Sequence, residues 1–471
     1  MIRKALTIAG SDSGGGAGIE ADLKTFSAFG VHGLVAITSV TAQNTQEVRA
    51  IYDISPEVVV KQIEAVAEDI GVDAAKTGML SNSEIIKAVA KTVKKYNFPL
   101  VVDPVMIAKS GAPLLREDAM EALIKEIIPL ASLVTPNRPE AEKLSGLQIK
   151  NCDDAKKAAK IIVEELGARA AIVKGGHLGL NEAVDILYAN GEFREYRAPF
   201  VEGCTHGTGC SFSAAIAANL AKGKFLEEAV EIAKRFITMG IYYGARIGHG
   251  HCPVNQNAWI EIPAEKWRVY DTLNRALKEL ISIENLHKYV PEVGMNFVYA
   301  LPKLYAKDRE DVAGVKGRIV KFGNAIKPVG WIEFGASDHL ARAILAFMDV
   351  FPEVRSVLNI KYNEGLIAKA QKLGFKISFY DRREEPKEIK AREGGTIPWG
   401  VRTAIERLRD KPDLIYHLGD WGKEAMILIF GETPKVVLAK LKRLIEETKS
   451  GELKKHVSAG EGKPNTHGSK D

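Results

Sequence analysis

The residues best able to do chemistry fall in two places. The first is Thr205-His206-Gly207-Thr208-Gly209-Cys210, directly ahead of the apolar stretch Ser211–Ala221. A helix starting there leaves its first N–H groups unpaired at its positive end. Gly207 and Gly209 remove side chains that would block a phosphate. The result is an anion hole for charge developing on a transferred γ-phosphoryl group. Cys210 falls in the first turn, where the helix dipole favours a thiolate, and a thiolate there can accept the proton of an attacking hydroxyl. The plain alternative is a Gly-rich turn with a small buried cysteine. A second Gly-rich stretch, Gly10-Ser11-Asp12-Ser13-Gly14-Gly15-Gly16-Ala17-Gly18, follows an apolar run and opens a helix. It lacks the lysine-serine ending of a P-loop and alone is weak evidence. Asp103 and Glu140 are carboxylates at apparent strand ends, a donor set that suits Mg²⁺ completed by water and phosphate. Asn137 can reach phosphate oxygens, and Lys174-Gly175-Gly176 offers a cation beside bare backbone. Taken alone, Glu140 reads as a first-turn acid complementing a helix dipole.

The second place is Gly330–Arg342. Ser337 or Asp338 can cap a helix there, which sets His339 and Arg342 one turn apart at an N-terminus suited to phosphate. Arg318 adds a fork-shaped donor. Further polar clusters, including Asn359–Tyr362, Tyr380–Pro386, Gly394–Gly400 and Leu418–Glu424, each follow a strand candidate or sit in a Gly-rich turn; for any one of them a solvated loop is the ordinary reading.

These groups need elements to hold them. Up to about residue 250, short apolar runs alternate with amphipathic stretches. Strand candidates are Leu6–Ala9, Val35–Val40, Ala74–Thr77, Leu100–Asp103, Leu133–Thr135 and Ala170–Lys174; helices are expected over Pro56–Ile70, Ser83–Lys95 and Asp153–Leu166. The alternation predicts an α/β fold, a mainly parallel sheet with helices on both faces, which binds ligands beyond the carboxyl ends of its strands. The pattern breaks at Pro253–Pro263, where a hinge is expected. A helix over Lys266–Leu286 opens a second α/β region with strands at Ser356–Ile360, Lys376–Phe379 and Leu414–His417 and a last helix over Pro434–Lys449. Three segments are therefore expected: domains over 1–258 and 259–447, and a polar, disordered tail over 448–471.

With 471 residues the chain suits more than one domain. Its net charge of +5 is too small to argue for nucleic acid. No apolar run is long enough to span a membrane, and no signal peptide precedes the first strand. The four cysteines include no C-x-x-C pair, so no disulfide framework is expected, and the location expected is a reducing cytoplasm. Cys204, His206, Cys210, His249, His251 and Cys252 have the spacing of no common structural zinc site.

Taken in order, Ala9-Gly10-Ser11-Asp12, Ala42-Gln43-Asn44-Thr45, Lys76-Thr77-Gly78-Met79-Leu80, Asp103-Pro104-Val105-Met106, Ala108-Lys109-Ser110-Gly111, Thr135-Pro136-Asn137, Lys174-Gly175-Gly176-His177 and Thr205–Cys210 resemble the ribokinase-like superfamily, specifically hydroxymethylpyrimidine/phosphomethylpyrimidine kinases, over about residues 1–255. The resemblance implies Mg-ATP-dependent phosphorylation of the pyrimidine alcohol and then of its monophosphate. It implies a pyrimidine site at Gly10, Asp12, Ala17, Gln43, Met79, Val105 and Lys109, with Gln43 offering a donor and an acceptor to the ring edge. It implies ATP contacts at Asn137, Lys174, Thr205, Gly207 and Gly209, metal at Asp103 and Glu140, and Cys210 as base. Cys204 departs from the asparagine common before the hexad.

Over about 285–447 the chain resembles the archaeal-type thiamine-phosphate synthase domain. That implies joining of hydroxymethylpyrimidine diphosphate to thiazole phosphate, with release of pyrophosphate. By the same resemblance Arg318 and His339 are catalytic, and Ser337, Arg342 and Lys361 bind substrate. A homo-oligomer acting on these small molecules is expected. Two other readings stay open: a thiamine-phosphate-sensing C-terminal module, and a pyridoxal-type kinase.

Overall fold

The computed structural model describes residues 2–107, 111, 114–115, 117–176, 182–391, 394–420 and 423–446. It divides into two compact units, Met1–Ala264 and Glu265–Asp471. Among the described residues no helix is long and apolar enough to cross a membrane.

The first unit contains β1 (Lys4–Ala9), β2 (His32–Ile37), β3 (Ser39–Gln43), β4 (Val48–Asp53), β5 (Ala74–Thr77), β6 (Leu100–Val102), β7 (Leu133–Val134), β8 (Ala170–Val173), β9 (Glu182–Ala189) and β10 (Glu192–Pro199). Eight of these form one sheet in the order β10-β9-β8-β7-β6-β5-β1-β2. The pairs from β8 to β2 are parallel, and β9 and β10 extend the edge antiparallel. The central strands are buried along their whole length because the pleat sends alternate side chains to two different cores. Leu6, Ile8, Ala75, Leu100, Val102, Val134, Ala171 and Val173 enter one core. Their neighbours Ala5, Ala74, Val101, Leu133, Ala170 and Ile172 enter the other. Helices Pro56–Asp69, Ser83–Tyr96 and Cys152–Glu164 cover the first face and Gly18–Ala28, Thr208–Ala221 and Leu226–Tyr242 the second.

Three local expectations differ from what forms. The run expected as one strand, Val35–Val40, divides at Thr38. There the chain leaves the main sheet and turns into the separate hairpin β3–β4, pinned by Thr38 Oγ1 donating to Met79 O at 2.6 Å. The chain does not lose regular structure across Pro253–Pro263: helix Ala258–Ile281 begins within it and carries Pro263 inside. Burial of Ala258 and Ile262, and packing of Trp259 on Phe29 and Phe236 at 5.5 and 5.7 Å between rings, outweigh the proline's missing hydrogen bond. Third, Cys204 and Cys252 form a disulfide, with Cα atoms 4.9 Å apart. The bridge between His206 and Pro253 brings their flanks together, a tertiary pairing that cysteine spacing does not reveal. Cys152 and Cys210 are free thiols.

The second unit contains β11 (Phe297–Ala300), β12 (Val312–Val315), β13 (Ile319–Phe322), β14 (Ala325–Pro328), β15 (Ile332–Phe334), β16 (Ser356–Lys361), β17 (Ile377–Phe379), β18 (Leu414–His417) and β19 (Met426–Gly431). Its seven-stranded sheet has the order β15-β12-β11-β16-β19-β18-β17, and β13–β14 form a separate hairpin. Among the described residues only β17 and β18 pair in parallel; the remaining ladders are antiparallel. Helices Asp338–Met348, Glu364–Lys372, Thr396–Leu408 and Pro434–Ile445 pack on it. Phe347 of the first of these helices stacks on Phe430 of β19, with rings 4.2 Å apart. The proposed tail over 448–471 lies outside the described residues.

Candidate active sites

In the first unit the strand ends, the Gly-rich loop and the hexad surround one cavity of about 370 Å³. Gly10, Asp12, Ala17, Gln43, Met79, Val105, Asp103, Asn137, Glu140, Lys174, Thr205, Gly207, Gly209 and Cys210 all line it. Lys109 lies outside the described residues. The parallel sheet explains the convergence, since β1, β5, β6, β7 and β8 all end at the same edge.

The hexad occupies the start of helix Thr208–Ala221, with Gly207 at its N-cap in the left-handed region, φ 79°. Gly16 and Gly207 fit each other. A side chain on Gly207 would run into Gly16 O, and one on Gly16 would meet His206 Nε2 at 2.8 Å and Pro253 Cβ at 3.2 Å. Asp12 binds the two loops together. Its Oδ1 accepts from Gly14 N at 2.8 Å; its Oδ2 accepts from Ala17 N at 2.8 Å and Gly16 N at 3.1 Å and lies 3.1 Å from His206 Nε2. Burial alone would raise the Asp12 pKa, but His206 and the loop N–H groups outweigh it and hold it below the usual value. Asp12 thus lines the cavity with a carboxylate already engaged by protein donors of both loops.

Glu140 is both of the things the sequence allowed. It lines the cavity, and it closes a capping box in which its Oε2 accepts from Asn137 N at 2.8 Å and Asn137 Oδ1 accepts from Glu140 N at 2.9 Å. Burial pushes its pKa up to about 7; Lys174 lowers it and Asp103 raises it further. Lys174 Nζ sits 3.3 Å from Asp103 Oδ1. Two buried carboxylates facing the cavity fit Mg²⁺, which takes one or two carboxylates and fills its octahedron with water and phosphate oxygen.

The thiolate expected at Cys210 is not the resting form. Burial raises its pKa to about 11; Lys76 pulls it down, while Asp22 and Asp103 push it up. Lys76, to which the sequence alone assigns no role, belongs to the same site. It is fully buried, lines the cavity, and its Nζ lies 2.8 Å from Asp22 Oδ2, which also accepts from Thr7 Oγ1 at 2.6 Å. Burial opposes its charge, but the Asp22 and Asp103 carboxylates keep it protonated. A lone lysine inside an apolar strand, Ala74-Ala75-Lys76-Thr77, was the available signal.

The second unit has its own cavity of about 500 Å³, lined by Arg318, Ser337, Asp338, His339, Asn296, Asn359, Arg382, His417, Lys423 and Glu424 among others. Arg318 is held at φ 73° and donates from Nη1 to Val293 O. Ser337 is the N-cap residue of Asp338–Met348 but makes no capping bond. His339 is half-buried, with its Nε2 shielded from solvent; desolvation, with Arg382 and Arg318 nearby, lowers its pKa to about 4, so the ligand-free ring is neutral. Two expected members do not line this cavity. Arg342 turns back to Asp338, its Nε 2.9 Å from both carboxylate oxygens, and packs against Gly394. Lys361 lines a neighbouring depression with His287, Lys288 and Lys321. In the sequence Arg382 and Lys423 stand out only as members of polar clusters, and His417 does not stand out at all.

A cavity at the edge of an open parallel sheet, with a helix start on one wall and a cation and two carboxylates on another, defines a small-molecule phosphotransferase. Residues 12–255 match the phosphomethylpyrimidine kinase family and residues 272–443 match thiamine-phosphate synthase ThiN; the chain belongs to the phosphomethylpyrimidine kinase family. It is 48% identical over 261 residues to a hydroxymethylpyrimidine/phosphomethylpyrimidine kinase of Bacillus subtilis, covering 55% of this chain and 96% of that one. It is 35% identical over 440 residues to a bifunctional thiamine biosynthesis protein ThiDN of Methanocaldococcus jannaschii, covering 93% of this chain and 97% of that protein. Among solved structures it is similar to an ADP complex of Bacillus subtilis pyridoxal kinase, with 40% identity, a TM-score of 0.52, and coverage of 55% of this chain and 98% of that one. It is also similar to the Staphylococcus aureus pyridoxal kinase with AMP-PCP and pyridoxal, with 39% identity, a TM-score of 0.50, and coverage of 55% and 94%.

Proposed function

We propose that the first unit phosphorylates 4-amino-5-hydroxymethyl-2-methylpyrimidine and then its monophosphate with ATP, and that the second unit joins the resulting diphosphate to thiazole phosphate, releasing pyrophosphate and forming thiamine phosphate. The observation that carries this reading is the match along nearly the whole chain to a bifunctional thiamine biosynthesis protein, with a phosphate-directed cavity in each unit.

In the kinase cavity, Gln43 and Met79 offer the pyrimidine a polar edge and an apolar face, and Gly10 admits it closely: a side chain there would meet Met79 Sδ at 3.2 Å. Asp103 and Glu140 would hold Mg²⁺, which supplies charge neutralisation along the phosphates. Lys174 and the N–H groups after Gly207 bind the transferring phosphoryl group, the main contribution a protein makes to this reaction. Cys210 takes the hydroxyl proton only from its minor thiolate form. In the second cavity, Arg318, Arg382 and Lys423 bind the diphosphate, and its negative charge raises the His339 pKa towards a form that can protonate the departing pyrophosphate.

The deciding experiment mixes hydroxymethylpyrimidine, thiazole phosphate and Mg-ATP with the purified protein and assays for thiamine phosphate. Binding of thiamine phosphate without turnover would favour a sensor module instead. The likeness to pyridoxal kinases favours one further activity, ATP-dependent phosphorylation of pyridoxal, which the same assay measures with pyridoxal as acceptor.

A further inference from the structure

Buried polar atoms without partners gather in the second unit. Of those found among the described residues, His339 Nε2, Arg382 Nε and His417 Nε2 belong to residues lining its cavity. Such atoms are normally satisfied, and their clustering marks a place where a ligand completes the bonding.

His417 is the most informative of them. It ends β18, is 2% exposed, and its ring lies 5.1 Å from that of Tyr380. Gly419, in the left-handed region at φ 84°, turns the chain so that its N–H donates to His417 Nδ1 at 3.2 Å. A ring nitrogen that accepts a hydrogen bond carries no proton, so the proton of the neutral ring is on Nε2. Burial, with His339 and Arg382 close by, lowers the His417 pKa to about 3, so the ring stays neutral at any physiological pH.

Among the described residues that Nε2–H has no acceptor. The cavity's acids are engaged elsewhere: Asp338 by Arg342 and Arg309, and Glu424 by the N–H groups of Glu292 and Val293. The surrounding cations are Arg318, Arg382 and Lys423. A cavity with this balance draws an anion, and the acceptor arrives with it. We propose that His417 Nε2–H is a neutral hydrogen-bond donor to a phosphoryl oxygen of the substrate bound in the second cavity. This rests on the synthase reading and adds a residue to it. A neutral donor suits a site already rich in positive charge, because it orients an oxygen without adding repulsion among the cations.

The test uses the full chain, supplied with pyrimidine diphosphate and thiazole phosphate, and compares His417→Phe with His417→Gln. The first keeps ring size and removes the donor; the second keeps an N–H near the Nε2 position. A hydrogen bond to a charged partner predicts a loss of about 10–100-fold in kcat/KM for His417→Phe, recovery of most of it in His417→Gln, and unchanged pyrimidine phosphorylation in both. Wild-type kcat/KM in His417→Phe, or an equal loss in a folded His417→Gln, overturns the proposal. Should the wild-type protein form no thiamine phosphate, the synthase reading fails, and calorimetry with inorganic pyrophosphate still decides the donor: binding must weaken in His417→Phe and persist in His417→Gln. Should His417→Phe not fold, ¹⁵N spectra of the histidine-labelled wild-type chain take its place, and a proton on Nδ1 of His417 overturns the proposal.

Discussion

Replacing Asp12 by asparagine separates two roles that the resemblance alone would merge, holding the pyrimidine and bracing the loop. Its two carboxylate oxygens accept three backbone N–H bonds and face His206 Nε2. An amide has one acceptor oxygen. Turned to keep Gly16, Ala17 and His206, it presents an N–H₂ group to Gly14 N and loses charge assistance in the other three contacts. Bonds to a charged acceptor contribute about 1.5–3 kcal/mol and neutral ones about 0.5–1.5 kcal/mol. Gly14 is exposed and can turn to water. At about 1–1.5 kcal/mol lost in each of the three contacts, the expected cost of Asp12→Asn is about 3–4 kcal/mol of stability in the first unit, together with a large fall in kcat as the glycine loop loosens against the hexad. Urea unfolding followed with phosphorylation assays measures both. The pH dependence carries the same signature. Because the folded-state pKa lies below the ordinary value of 3.8, the wild-type contribution is complete above that value and is lost as pH falls through the folded pKa; Asp12→Asn removes that acid-sensitive component. Unchanged stability with only a raised KM for the pyrimidine would refute the bracing role and return Asp12 to the substrate.

Cys210→Ala should keep ATP and pyrimidine binding and lose phosphoryl transfer by about 10²–10⁴-fold; with a pKa of about 11, the wild-type rate should climb from pH 7 to 9 as thiolate forms, and a rate that is flat with pH in both proteins removes Cys210 as base. A fragment of residues 1–264 should fold and phosphorylate the pyrimidine. Ending it at 258 strips Trp259 from Phe29 and Phe236 and should cost on the order of 2–3 kcal/mol, which equal melting temperatures for the two fragments would contradict. Arg318→Ala and His339→Ala should each reduce thiamine-phosphate formation from supplied precursors by about 10²–10³-fold while pyrimidine phosphorylation survives.

The first unit was legible because a parallel sheet converts sequence position into spatial position. A polar motif directly after a buried strand lies at the binding edge, and every described residue singled out there does. Asp12 and Cys210 both line the cavity, but their states were not readable, since both depend on groups far along the chain, His206 for one and Asp22 with Asp103 for the other. The second unit resisted the same reasoning. In a mostly antiparallel sheet, strand ends point to both edges, so Lys361 at the end of β16 lines a neighbouring depression. Arg342 was placed by helical spacing from His339, but the same spacing gives it Asp338 as a closer partner. His417 carried no signal in its neighbours, because its tautomer is set by a turn whose geometry depends on Gly419. The Cys204–Cys252 pairing was hidden for a related reason: a bridge at His206 and Pro253 creates it, and no local pattern announces that bridge.

The contact between Gly16 and Gly207 limits how this enzyme can change over generations. Neither position tolerates a side chain while the other loop stays where it is, and His206 fills the remaining space beside Gly16. Two stretches separated by most of the first unit are therefore inherited as one character. A hexad transplanted into another scaffold would arrive without its partner loop. Variation at any of these three positions should survive only in lineages where the opposite loop has moved as well.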